Sequence, residues 1–310
     1  DPAAEAEARL WSERIAGDRP DLIVCGIPWD GDLRVLALVA ARERVPLAAC
    51  QDGALAETGA GGIPVASAAL AWGPRGSDWF ARRGVPRASV RQVGDPHLDR
   101  LVREVARTDA APLRARLRIP PGTRALLAGV QNSAPHLPAS DPADPLRLAA
   151  ILVEAAGRSD GWRLVLKPHP RLPLVDGPRR MRRLREIAAR SACVSLVPPD
   201  EPLAPLLALA DAHVGEGDTL SLEALACGKP SILFEQEGLP PVYPEYAATG
   251  AMPAVRSPDE LAALLGGGAP PIDPSARARL LDEHLRAETP AADALVSLAR
   301  AHGARPEPAP

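Results

Sequence analysis

The sequence predicts an α/β protein of two domains, each a parallel sheet with helices packed on its faces. Three observations carry this expectation. Short apolar runs of strand length alternate with helix-patterned segments, the connections between them are short, and the polar clusters of chemical interest each follow a strand. A chain of 310 residues suits two domains of about 150 residues each.

Residues 2–16 place Leu10, Trp11 and Ile15 at helical spacing and stop at Gly17-Asp18-Arg19-Pro20. A buried strand is expected at 21–26. A helix over 32–43 follows, carrying Leu33, Val35, Leu36, Leu38, Val39 and Ala41, and then a strand at 45–50. Beyond the glycine-rich loop 51–62 come a strand at 65–72, a short helix at 77–83, a strand at 89–93 and a charged helix over 98–117. Pro120-Pro121-Gly122 interrupts the pattern, so the first domain is expected to occupy 1–119.

The alternation restarts with a strand at 124–130, a polar, proline-rich loop at 131–144 and a helix at 145–157 with Pro145 in its first turn. Strands are expected at 162–167, 193–197, 212–214 and 231–234, with helices at 179–190, 203–210 and 220–226 between them. This second domain spans 120–270, helices at 257–265, 275–287 and 290–302 close the chain, and the tail 303–310 reads as disordered. Open parallel sheets bind ligands beyond the carboxyl ends of their strands, so the polar clusters are expected to face a cleft between the domains.

Composition narrows the function classes. The apolar share of 46% supports a sizeable core, but the aromatic share of 3% means Leu, Val and Ala must build it. A net charge of −3 with mixed signs makes nucleic acid a poor partner. Cys25, Cys50, Cys193 and Cys227 lie far apart beside apolar runs and read as buried free thiols in a reducing cytoplasm. No run approaches the ~18 to 20 apolar residues of a membrane span. The expected location is cytoplasmic, with peripheral contact at the inner face of the membrane left open.

The motifs of several enzyme classes are missing. No GxGxxG follows a strand, and neither GxxxxGK[ST], HExxH nor a serine nucleophile elbow occurs. Acidic residues do not cluster as a metal site. The candidates are the residues that close strands. His169, held between Pro168 and Pro170, is placed either to meet a phosphate or to make a structural loop hydrogen bond. Lys167 reads as a donor-binding cation or as a solvated strand end.

The loop Gly215-Glu216-Gly217-Asp218-Thr219 enters a helix whose first-turn amides and hydroxyls, from Thr219 and Ser221, suit an anion. Asp218 reads as a helix cap or a contact to sugar hydroxyls. Glu223, one turn on, needs a partner such as a ribose diol unless it is solvated. Gln131, opening the polar loop after its strand, joins Lys167, Gly217, Asp218, Thr219, Ser221 and Glu223 in the donor-binding set. In the first domain Asp52 follows a buried strand and is placed as a general base, or as an ordinary Asp-Gly turn. Arg179, Arg180, Arg182, Arg183 and Arg185 form a cationic helix face, a solvated surface or a contact for an acidic membrane or anionic glycan.

The strand closing in KPHP, followed by a strand, a polar loop, S-x-E-A-L-x-x-G-K-P and a further strand, resembles the C-terminal domain of GT-B glycosyltransferases. The likeness is strongest to bacterial surface-polysaccharide enzymes: sialyl- and polysialyltransferases, capsule Kdo transferases and CDP-glycerol glycerophosphotransferases. The resemblance implies two Rossmann-like domains facing a cleft, with His169-Pro170 and Thr219 or Ser221 on the phosphate of the donor. It also implies Asp52 as the base, with Gln51 standing where relatives carry a second acid. The string from Val93 to Leu101 is similar to the segment that ends many GT-B N-terminal domains. Glu216 and Glu223 are not spaced as the acid pair of retaining relatives, so that mechanism is not carried over. Only four strands are expected in the first domain, fewer than in complete GT-B relatives. An incomplete N-terminal domain is therefore expected.

These readings imply an inverting, metal-independent transferase that needs no cofactor. It would move a sugar or polyol phosphate from a nucleotide-activated donor to a glycan or lipid-linked hydroxyl acceptor in bacterial surface glycan synthesis. His169 and Asp52 would be the catalytic residues. The alternatives are an epimerase resembling UDP-N-acetylglucosamine 2-epimerase, and a non-catalytic module that binds sugar nucleotide or glycan.

Overall fold

The computed structural model describes residues 2–28, 31–55, 65–130, 146–175, 178–236 and 243–301. Two compact units result. One draws on the chain up to Pro96 together with the stretch from Leu281 onward, and the other on His97–Leu280.

The first unit contains α1 (Pro2–Asp18), β1 (Ile23–Gly26), α2 (Gly31–Arg42), β2 (Leu47–Cys50), β3 (Ala68–Ala71), α3 (Pro74–Arg82) and β4 (Val90–Gln92). Its four strands are parallel and lie in the order β1-β2-β3-β4. Alanines at Ala48, Ala49, Ala68, Ala69 and Ala71 leave room for large side chains from the helices. Trp79 and Phe80 of α3 fill one such space, their rings edge to face with centroids 5.2 Å apart. Ile15 of α1 and Leu36 and Val39 of α2 pack around Leu47 in a neighbouring cluster.

The second unit runs through α4 (Pro96–Arg107), α5 (Ala111–Arg116), β5 (Arg124–Val130), α6 (Arg147–Ala156), β6 (Trp162–Pro168), α7 (Leu172–Val175), α8 (Pro178–Ala188), β7 (Val194–Leu196) and α9 (Leu203–Leu209). It continues with β8 (Ala212–Gly215), α10 (Thr219–Ala226), β9 (Ser231–Phe234), α11 (Pro244–Ala248), β10 (Ala254–Val255), α12 (Pro258–Gly266) and the part of α13 (Pro274–Leu285) up to Leu280. The chain closes with α14 (Ala291–Ala301), which belongs to the first unit; there Ala294 and Leu298 pack with Ala48, Ala68 and Leu70.

All pairs in the six-stranded sheet are parallel, in the order β10-β9-β8-β5-β6-β7. The chain builds from β5 outward to β7, then returns to the other side of β5 with β8. Strand order therefore reverses between β5 and β8, which is where doubly wound sheets open a crevice at their carboxyl ends. A continuous apolar cluster, including Leu126, Leu152, Trp162, Leu164, Leu166, Leu184, Val214 and Phe234, holds the helices on the sheet.

Several expectations are corrected. The single helix over 98–117 is two, because Pro112 lacks the N–H an uninterrupted helix requires; Asp109 Oδ1 accepts from Ala111 N at 2.9 Å where the second begins. The short elements α7, α11 and β10 escaped the periodicity, being too brief to repeat a pattern. Cys193 is exposed rather than buried, since it precedes β7 instead of lying in it, while the other cysteines are partly buried; all four are free thiols. The tail 303–310 and the loop 131–144 lie outside the described residues.

Candidate functional site

Lys167, at the end of β6, is buried rather than solvated. Its Nζ donates to the carbonyls of Pro168 at 3.0 Å and Pro199 at 2.5 Å, tying β6 to the loop after β7. Burial pushes its pKa down, opposed by Asp200 and Glu201. His169 follows on a stiff backbone, its N–H donating to Val130 O on β5 at 2.8 Å. The ring Nδ1 accepts from Arg171 N at 3.0 Å, so the neutral imidazole carries its proton on Nε2 and presents a donor. Partial burial, Arg171 and Lys167 hold its pKa below the usual value, with Asp218 pulling the other way.

Across the switch point, β8 delivers the second loop. Asp218 is the N-cap of α10. Its Oδ1 accepts from Ser221 N at 2.8 Å and from Ser221 Oγ at 2.9 Å, while its own N–H donates to Ser221 Oγ at 3.2 Å. This reciprocal box uses Ser221, which is fully buried, as an internal brace. The Ser221 hydroxyl and amide are thus engaged within the cap, whereas the amides of Thr219 and Leu220 lie outside the helix's own ladder. The other carboxylate oxygen of Asp218 lies over β5, 3.5 Å from where a Cβ on Gly129 would stand. The cap of α10 and the turn at His169 thus converge on the end of the same central strand.

Gly217 bends the loop with φ +82°, and a Cβ there would meet Tyr243 Cδ2 at 3.2 Å. Tyr243 and Tyr246 stack beneath it, centroids 4.8 Å apart. Glu216 is largely buried and accepts from Gln236 Nε2; burial raises its pKa. Glu223 on α10 is 8% exposed, and its Oε1 lies 3.9 Å from His97 Nε2 at the start of α4. Its carboxylate accordingly has a protein partner.

Residues unmarked by sequence reasoning complete the site. His213, in the middle of β8, is fully buried; its Nδ1 pairs with Ser231 Oγ on β9 at 2.8 Å, and its Nε2 has no hydrogen-bond partner among the described residues. The ring lies against Gly215, where a Cβ would stand 3.0 Å from His213 Cε1. Its pKa is lowered by burial and drawn upward by Asp218. A histidine inside an apolar strand was the available signal. His97 carried none, because its partnership with Glu223 joins distant parts of the chain.

In the first unit Asp52 is exposed, just past β2, with its Oδ2 3.2 Å from the Cβ position of Gly26 at the end of β1. Gln51 beside it is structural: Oε1 accepts from Trp72 N at 2.9 Å and Nε2 donates to Gly53 O at 2.9 Å. Gln131 lies outside the described residues. Among the described residues no group of His, Cys, Asp and Glu is arranged to hold a metal, and no helix is long and apolar enough to cross a membrane.

No protein-family model matches the sequence, and no curated protein is similar to it. Solved structures are similar in fold. S. aureus MnaA with UDP is 11% identical, with a TM-score of 0.64 over 98% of this chain and 80% of that one. The Neisseria meningitidis UDP-GlcNAc 2-epimerase bound to UDP-GlcNAc is 14% identical, with a TM-score of 0.62 over 96% and 80% of the two chains. A Rickettsia africae glycosyltransferase is 12% identical, with a TM-score of 0.59 over 96% and 80%. The two parallel-sheet domains are thus those of the GT-B-like fold these enzymes share.

Proposed function

We propose that the chain is an enzyme acting on a nucleotide sugar, held by its second unit at the switch point between β5 and β8. The observation that carries this reading is the convergence of His169 and the capped turn of α10 on the end of β5. The first-turn amides of α10 and Thr219 would receive the phosphates, His169 Nε2–H would donate to the phosphate oxygen, and Glu223 would meet the ribose. UDP is the first donor base to test, since the similar structures named above include complexes with UDP and UDP-GlcNAc.

The reaction favoured is transfer with inversion in surface glycan synthesis. An acceptor hydroxyl loses its proton to Asp52 and bonds to the anomeric carbon as the bond to the phosphate oxygen breaks. The nucleotide leaves with the electron pair, stabilised by His169 and the α10 amides without need of a metal. A second reading is epimerisation, favoured by the several UDP-GlcNAc 2-epimerases among the similar structures and by the paired His97 and Glu223.

The experiment has two stages. Thermal shift against UDP, CMP, CDP and GDP identifies the base, because a ligand at a hundred times its Kd stabilises by about 2.7 kcal/mol. Incubation with the matching sugar nucleotide follows, with and without a hydroxyl acceptor. Product only with acceptor supports transfer, and a new sugar nucleotide without acceptor supports epimerisation. Turnover in His169→Ala equal to the parent's would remove His169 from the mechanism, and the same result in Asp52→Asn would remove Asp52.

A further inference from the structure

Arg179, Arg182 and Arg185 of α8 are exposed and belong to neither the core nor the candidate site. Met181, Leu184, Ile187 and Ala188 form the buried face of this 11-residue helix, which packs on α6. Arg179, Arg182, Arg183 and Arg185 are exposed on it, Arg190 is exposed just beyond its end, and Glu186 is the one acid among them. Among the described residues, Arg179, Arg182, Arg185 and Arg190 make no ion pair.

Local electrostatics oppose this arrangement. Arg179 and Arg180 sit in the first turn, at the positive end of the helix dipole, where an acid would be favoured and none is present. Arg179 and Arg182, then Arg182 and Arg185, are like charges three residues apart, and Arg179 and Arg183 are four apart, spacings at which they repel. The whole chain carries a net charge of −3, so the helix reverses the prevailing sign. A solvated face kept only for solubility would mix its charges. A concentration of guanidinium groups that burdens its own helix is relieved by an anionic partner.

We propose that the arginine face of α8 docks on an anionic phospholipid bilayer. The helix lies about 16 Å long along the surface, and its guanidinium groups match phosphate oxygens through paired N–H donors. Its apolar side is committed to α6, so docking is electrostatic and reversible, without insertion, and weakens with salt. Nucleic acid fits less well: α8 carries no aromatic side chain for stacking and no Asn or Gln to read base edges. The inference uses none of the nucleotide-site residues and stands apart from the functional reading.

Sedimentation of the full chain with vesicles tests it. Binding is expected to vesicles of equal parts phosphatidylglycerol and phosphatidylcholine, and not to phosphatidylcholine alone. Replacing Arg179, Arg182, Arg185 and Arg190 together by Gln is expected to lower the partition coefficient on the order of a hundredfold or more, with thermal unfolding showing the variant folded. A control with Gln at Arg9, Arg14, Arg103 and Arg107, exposed arginines elsewhere, should keep most of the binding. Failure to bind the anionic vesicles overturns the proposal, as does equal loss in both variants. Retention by duplex DNA or RNA without vesicle binding would assign the surface to a nucleic acid and equally overturn it.

Discussion

Gly217 and Gly228 both adopt positive φ, +82° and +76°, yet their surroundings differ. A Cβ on Gly228 would meet nothing within 4 Å, whereas one on Gly217 would press on Tyr243 at 3.2 Å and on Leu233 and Tyr246 at 3.5 Å. Gly228→Ala should therefore cost only the backbone penalty, about 1 to 2 kcal/mol, and Gly217→Ala should cost more and reduce nucleotide binding as well. Urea unfolding of both variants, with the binding assay alongside, reads the difference. Asp218 allows a second comparison. Asp218→Ala removes the cap and should destabilise by about 0.5 to 2 kcal/mol, while Asp218→Asn keeps an acceptor and should lose far less. Asp218 was legible from its position before a helical run, and so was the glycine of the turn. The internal use of Ser221 was not, because a hydroxyl at the third helical position serves a phosphate or a cap equally well until its burial is known.

At the scale of elements, most strands and long helices follow from apolar periodicity, the brief elements and the break before Pro112 do not, and polar groups are misread where their partner lies far along the chain. Lys167 reads as a strand end exposed to water because nothing local reveals Pro199, 32 residues on, accepting from it. Gln51 is comparable: its side chain joins β2 to the residue after β3, and a Cβ on Gly76 would displace Gln51 Oε1 from this position. Gln51→Leu should leave the Trp72 N–H without its acceptor in a buried setting. A loss of about 1 to 3 kcal/mol is expected by chemical denaturation. Gln51→Glu, of similar shape, retains the Trp72 acceptor but loses the donation to Gly53 and places a charge in a buried setting, so it should destabilise as well.

At the scale of the whole molecule, the two units have separate cores, and the groups with displaced acid-base equilibria at the candidate site lie in the second. Burial lowers the pKa of His213 and His169 below 6.5, which means the folded state resists protonating them. Their contribution is present above the unfolded value and lost as pH falls below it toward the folded one. Glu216 has the opposite sign: burial raises its pKa above 4.5, so its contribution is present below that value and lost as pH rises through the folded one. As pH falls below 6.5 the two histidines therefore weaken the second unit, while Glu216 acts in the opposite sense. His213 should contribute more than His169, being fully buried while His169 is half-buried. Hydrogen exchange checks this by strand. Protection of β8 and β9 should fall with acidification, after correction for intrinsic rates, while that of β2 and β3 changes little. Replacing His213 by Leu together with Ser231→Ala, so that no hydroxyl is orphaned, should flatten the dependence in β8 and β9. An unchanged slope in the double variant would show that His213 does not set it.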